Sequence, residues 1–248
     1  MVSENGEQSF MSHLLEMRRR LMHAVLAVVI IFVGLLPFAN KLYSWLAKPL
    51  LETLPKGGQL VAIEVASTFF VPMKLAFFTA LFIATPYVLY QIWAFVAPAL
   101  YEKEKSLAKP ILVAATFLFY LGCAFTFFII LPVMFAYLNS AAPDGVAMMT
   151  DISKYLDFVL VLLFAGGFSF EVPIAVLVAV LLGWVTVEQL VEWRGYIIVA
   201  IFIIAAIITP PDGLSQIMLA LPMWALYEIG ILVARAIVKA RLKTVVTD

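Results

Sequence analysis

FVLVLLFAGGFSFEVPIAVLVAVLL, residues 158–182, is the stretch that decides the fold. It is longer than the roughly 20 apolar residues a helix needs to cross a bilayer. Lipid offers the backbone no hydrogen-bond partner, so an unclosed chain of this kind must cross as a helix. A single charge, Glu171, sits inside the run. A carboxylate near the bilayer centre costs about 3 kcal/mol on insertion scales, so such residues face a wet cavity, a partner or a proton. Glu171 is therefore a candidate functional residue before any other feature is considered.

The rest of the chain agrees with that stretch. Its 248 residues are 65% hydrophobic and its mean hydropathy is +1.06, whereas soluble domains are about half apolar. The chain is a polytopic membrane protein. Sixteen basic and sixteen acidic residues cancel, which argues against a nucleic-acid surface. The one cysteine, Cys123, excludes disulfide frameworks and multi-cysteine metal sites; it reads as a small residue facing lipid or a neighbouring helix. Residues 1–20 are polar, and the first apolar run ends in Leu-Leu-Pro-Phe, unlike a cleavage site, so that run is expected to remain as the first span.

Six apolar segments stand out, at about 21–39, 69–97, 110–138, 155–182, 196–209 and 214–234. Together they predict an all-α integral membrane protein forming one membrane domain over residues 1–248. Pro72, Pro86, Pro110, Pro132, Pro173 and Pro222 lie in or beside them and are expected to bend helices. Segments two to four are long enough to tilt or protrude. The fifth is too short to span without thinning of the bilayer, and Thr209-Pro210-Pro211-Asp212-Gly213 turns it into the sixth. Long bent helices beside a short fifth and sixth predict a cup rather than a uniform bundle. Loop 40–68 is expected to carry an amphipathic helix on the outer surface, and loop 139–154 to be turn-rich on that same side.

An even number of spans puts both termini on one face. Eleven of the sixteen Lys and Arg residues fall on that face and five on the other, which makes the first one cytoplasmic. Two acids, Glu16 and Glu104, sit among these cytoplasmic basic residues. They contribute little to topology and have the chemistry to hold guanidinium groups, since arginine's planar fork binds carboxylates bidentately and never loses its charge. Nothing in the sequence points to bond-making chemistry. Nucleophile-elbow, zinc-protease and phosphate-loop motifs are absent, and the only histidines are His13 and His23. No cofactor is implied. The work of transport must come from outside, as from the transmembrane potential.

Four motifs carry a resemblance: SHLLEMRRRL at 12–21, FVAPALYEKEK at 95–105, FSFEVPI at 168–174, and TPPD at 209–212 followed by Ser215-Gln216. In this order, placed among six spans, they resemble the TatC family, the polytopic core of the twin-arginine protein translocase. The resemblance implies a bacterial inner-membrane receptor that binds twin-arginine signal peptides of folded cargo at its cytoplasmic face and draws on the proton motive force. It implies that Glu16 and Glu104 contact the paired arginines, with Arg18, Arg20, Phe95, Leu100 and Tyr101 shaping the site. It also implies single-span TatA- and TatB-type partners in an oligomeric complex, docked near Glu171, Thr209 and Gln216. Pro49, Pro86 and Asp212 match recurring positions and read as two bends and a turn cap. Glu228 is expected to reach the interface or pair with Arg235.

Two rival readings stand beside this one. A proton-coupled small-molecule transporter would use Glu171 as its titrating carrier, but the chain shows no internal repeat of the kind such transporters carry and leaves the cytoplasmic acids unused. A purely structural scaffold leaves Glu171 unexplained.

Overall fold

The structure, a computed structural model, describes residues 3–53, 60–96, 108–140, 150–209 and 213–247. Helix α1 runs from Ser3 to Leu35, passes through a 3₁₀ turn at Leu36–Phe38, and continues as α2, Ala39–Thr53. A two-residue strand β1, Leu60–Val61, precedes α3, Ser67–Val96. The third apolar segment is α4, Ala108–Phe125, a π-helical turn at Thr126–Ile130, and α5, Leu131–Ser140. Strand β2, Thr150–Asp151, opens α6, Ile152–Phe170, which breaks at Glu171 and resumes as α7, Val172–Leu181. A short helix α8, Val187–Glu192, leads into α9, Arg194–Ile208, and α10, Gly213–Thr247, closes the chain.

Among the described residues, five helical stretches are long and apolar enough to cross a membrane, and α9 is a shorter apolar helix beside them. Its 15 residues rise only about 22 Å, against a hydrocarbon core of about 30 Å. The expected short sixth helix is corrected: α10 is 35 residues long. Pro222 lies inside α10 without ending it, and beyond residue 234 Ala, Arg, Lys and Leu, all strong helix formers, carry the helix on. At the other end, α1 starts at Ser3 rather than at residue 21. Hydropathy marks where a helix is in lipid, not where it begins. The amphipathic segment expected in 40–68 is α2, which follows α1 without an intervening loop.

The chain divides into two compact units, Met1–Ala47 with Glu64–Leu112, and Lys48–Ile63 with Val113–Asp248. In the first, α1 packs on α3, with Val28 seated against Ala80 and Ala84 and flanked by Ile31, Phe32 and Val88. Small residues on one helix let a β-branched one on the other approach closely, which is how helices associate where lipid removes the hydrophobic driving force.

The second unit takes that device further. A Cβ at Gly122 would lie 2.5 Å from the carbonyl oxygen of Gly166, and one at Gly167 would lie 2.7 Å from the Phe119 ring. A Cβ at Gly166 would collide with the Thr126 hydroxyl. The α4–α6 contact thus rests on absent side chains. The contact of α7 with α10 uses Gly230, where a Cβ would meet Pro173 and Val176. Ile201, Ala205, Leu219, Ala220 and Met223 form the seam between α9 and α10.

Polar ties fix the ends of these helices. Thr186 and Gln189 form a reciprocal capping box at the start of α8. The Tyr227 hydroxyl donates to the carbonyl of Leu190 at 2.8 Å. Glu228 pairs with Arg194 at 2.6 Å, not with Arg235 as the sequence reading allowed, because α10 presents it to the first residue of α9. Two parallel strands, not expected from the sequence, join residues 60–61 to 150–151. Asp151 holds that junction: Oδ1 accepts from the N–H groups of Ser153 and Lys154, and Oδ2 from that of Ile63.

These N–H groups, Lys154's foremost and Ile63's next, hold the Asp151 carboxyl below the usual carboxylate range. A carboxyl whose pKa is depressed in the folded state contributes stability above its unfolded pKa, and that contribution is lost as pH falls through the folded value. Asp151→Asn is therefore expected to lower thermal stability in detergent at neutral pH, with the deficit shrinking as both proteins are acidified through and below the carboxylate range. A deficit that stays constant with pH would contradict this assignment.

Candidate functional site

Two polar sites emerge, one on each compact unit. The first is built on the N-terminal part of α1. Because SHLLEMRRRL lies on the continuous helix Ser3–Leu35, residues three, four and seven apart share one face. Glu16, Arg19, Arg20 and His23 lie on that face. Arg20 sits one turn beyond Glu16, and its Nε and Nη2 both donate to Oε1 of Glu16, at 3.0 and 2.5 Å. Among the described residues, Oε2 of Glu16 accepts no hydrogen bond. From α3 comes Gln91, only 7% exposed. Leu15, Glu16, Arg19, Arg20, His23 and Gln91 line a cavity of about 480 Å³.

That cavity offers one carboxylate, one amide, one imidazole and two guanidinium groups. Its chemistry suits a polar or cationic side chain brought to Glu16. Phe95 is half-buried one turn beyond Gln91, near the end of α3, and Arg18 is exposed. Leu100, Tyr101 and Glu104 lie outside the described residues. The structure thus joins Glu16 with Arg20 and adds three residues the motif reading did not assign: Arg19, His23 and Gln91. The signal for Gln91 was available, since it is an amide within the apolar run of α3, the same kind of anomaly that singled out Glu171.

The second site is the break between α6 and α7. Glu171 has φ −78° and ψ −14°, with its N–H bonded to the carbonyl of Phe168 and its carbonyl to Ala175 N–H. Pro173, near the start of α7, brings no N–H and so interrupts the helical ladder there. The Glu171 side chain is partly buried, and its Oε1 takes no hydrogen bond among the described residues. The buried hydroxyl of Thr126, on the π-helical turn, is likewise unpartnered. The π turn and the helix break are both local departures from regular helix, which tend to mark functional positions.

Thr209 and Gln216 are engaged internally. The buried Thr209 hydroxyl donates to the Ala205 carbonyl at 2.9 Å, and Gln216 Nε2 donates to the Phe202 carbonyl at 2.9 Å, tying α10 to α9. Pro86 lies inside α3, beside Thr85, whose hydroxyl donates back to the Leu81 carbonyl. Pro49 lies within α2, its side chain outside those described, and Asp212 lies outside the described residues. No group of His, Cys, Asp and Glu that would hold a metal ion occurs among the described residues.

Comparison with known proteins finds relatives along nearly the whole chain. The family described as Sec-independent protein translocase protein (TatC) matches residues 12–222. The TatC protein of Halothiobacillus neapolitanus is 50% identical over 241 residues, 97% of this chain, although the chain spans only 66% of that protein's length. That of Haemophilus influenzae is 48% identical over 235 residues, covering 95% of this chain and 92% of the relative. Escherichia coli TatC is 44% identical over 234 residues, 94% of this chain and 91% of its own. A crystal structure of the twin arginine translocase receptor TatC superposes with a TM-score of 0.81 at 35% identity, covering 90% of this chain and 98% of that one.

Proposed function

This chain belongs to the TatC family of Sec-independent protein translocase proteins, a transport subunit rather than an enzyme, and from that premise we propose that it is the receptor for twin-arginine signal peptides on folded cargo. It works in the bacterial inner membrane, with both termini cytoplasmic, and draws on the proton motive force. The observation that carries this reading is the Glu16 carboxylate at the wall of the α1–α3 cavity, with one oxygen open to a donor among the described residues. Glu16 and Glu104 take the two arginines of the signal. Phe95, Leu100 and Tyr101 pack its apolar residues, and Arg18 and Arg20 frame the acids.

Single-span TatA- and TatB-type helices dock on the second unit. Glu171 offers them a hydrogen-bond acceptor inside the membrane that is unfilled among the described residues. Thr209 and Gln216 hold the α9–α10 hairpin in shape, so their part in docking is to position that hairpin. In this reading Glu171 is a docking point and not the carrier of a small-solute transporter.

The direct test is a pull-down of the detergent-solubilised protein with a twin-arginine signal peptide against the same peptide carrying two lysines. Guanidinium forms paired, directional bonds to carboxylate that ammonium does not. The twin-arginine peptide is expected to bind roughly tenfold or more tightly, the value of one charge-assisted hydrogen bond. Equal capture of the two peptides would end the receptor reading.

A further inference from the structure

In the free protein the acid of the α1 cavity already holds an arginine, its own. The Arg20 guanidinium sends two donors to Glu16, and both converge on Oε1. A side-on contact of this kind sets a positive charge against the carboxylate while leaving Oε2 without a hydrogen bond among the described residues. The Arg20 side chain is 25% exposed and that of Glu16 38%, so the arginine is the more enclosed partner and the acid remains reachable. The pair is set by one turn of a continuous helix, so it forms without any ligand.

The geometry points to Arg20 as a specificity-determining residue that screens Glu16 against cations other than guanidinium. This inference rests on the receptor reading above and concerns how the same site discriminates. An ammonium is a compact, strongly hydrated point charge and gains mainly from net negative charge. Beside Arg20 it finds a carboxylate already compensated and a second cation close by. A guanidinium has a planar fork and weaker hydration, and gains from directed hydrogen bonds to whichever oxygen is free. It can take Oε2 while Arg20 keeps Oε1, or exchange places with Arg20 in kind. Arg20 therefore costs an ammonium ligand more than a guanidinium ligand. The amide of Gln91 and the second guanidinium, Arg19, line the same cavity and further disfavour a ligand that binds by charge alone.

The test uses Arg20→Gln, which removes the charge and leaves a shorter side chain with an amide donor, with Arg20→Lys as a companion that keeps the charge and loses the fork. Affinities of the twin-arginine and twin-lysine signal peptides are measured for the wild-type protein and both variants at one fixed salt concentration. Thermal unfolding in detergent confirms that each variant is folded. In Arg20→Gln the twin-lysine peptide is expected to gain roughly twofold to fivefold, the range of one exposed charge–charge interaction, while the twin-arginine peptide changes less. The preference for arginine narrows accordingly, and Arg20→Lys falls between the two. An unchanged preference, or an equal loss for both peptides, overturns the inference and makes Arg20 a direct or purely structural contributor. If the wild-type protein itself shows no preference, the receptor reading fails, and this inference with it.

Discussion

Glu16→Lys is expected to reduce capture of a twin-arginine signal peptide by roughly tenfold to a hundredfold, because it replaces a charge-assisted acceptor by a like charge. The wild-type acid sits at the cavity wall with Arg19 and Arg20 beside it. Lysine there would add a third cation to that wall and release Arg20 from its partner. The loss should be steeper at low salt, since exposed charges about 8–10 Å apart or more are screened at physiological ionic strength. Folding should be little affected. Lys and Glu have similar helix propensities, and an exposed pair one turn apart is worth only about 0.3–0.5 kcal/mol. Binding and unfolding measured on the same preparation therefore separate the site from the scaffold. Unchanged capture would remove Glu16 from the receptor site, and parallel loss of binding and thermal stability would make it a structural residue. Glu16→Gln should lie between, since it keeps an acceptor without charge.

How much of this was legible beforehand depends on which physical signal each feature leaves in the sequence. Glu171 and the membrane spans announce themselves by contrast with lipid, because one charge among residues 158–182 has no cheap resting place. The short fifth helix was equally plain, bounded by Arg194 and by Thr209-Pro210. The long sixth was not. The change to basic residues after Ala234 looks like an end, but the helix runs on through it. The π turn at Thr126–Ile130 leaves no sequence signature; in the fold its Thr126 lies against Gly166 of α6. The pairing of Glu228 with Arg194 needed the α9–α10 hairpin to be folded before either partner could be named. At the candidate site the motif revealed Glu16 and its arginines. Only the packing of α1 on α3 brought in Gln91, 75 positions further along the chain.

Glu171→Ala is expected to abolish, or nearly abolish, export of folded cargo by membrane vesicles while leaving the protein as stable as before, or more so. A buried acceptor without a partner costs about 1–3 kcal/mol, and Oε1 of Glu171 is such an atom among the described residues. Alanine removes that cost. The backbone bonds at the break, Glu171 N–H to Phe168 and Ala175 N–H to Glu171, do not involve the side chain and survive. Stabilisation joined to loss of activity is the behaviour of a residue kept for function at the expense of folding. Capture of a short arginine-bearing signal fragment should persist, because Glu16 belongs to the other compact unit. Glu171→Gln divides the remaining possibilities: retained export would mean a partner needs a hydrogen-bond acceptor there, and lost export would mean it needs the ionisable group. A Glu171→Ala protein that exports normally would refute the docking role. One that unfolds in step with its loss of export would show that the carboxylate had been supporting the α6–α7 break all along.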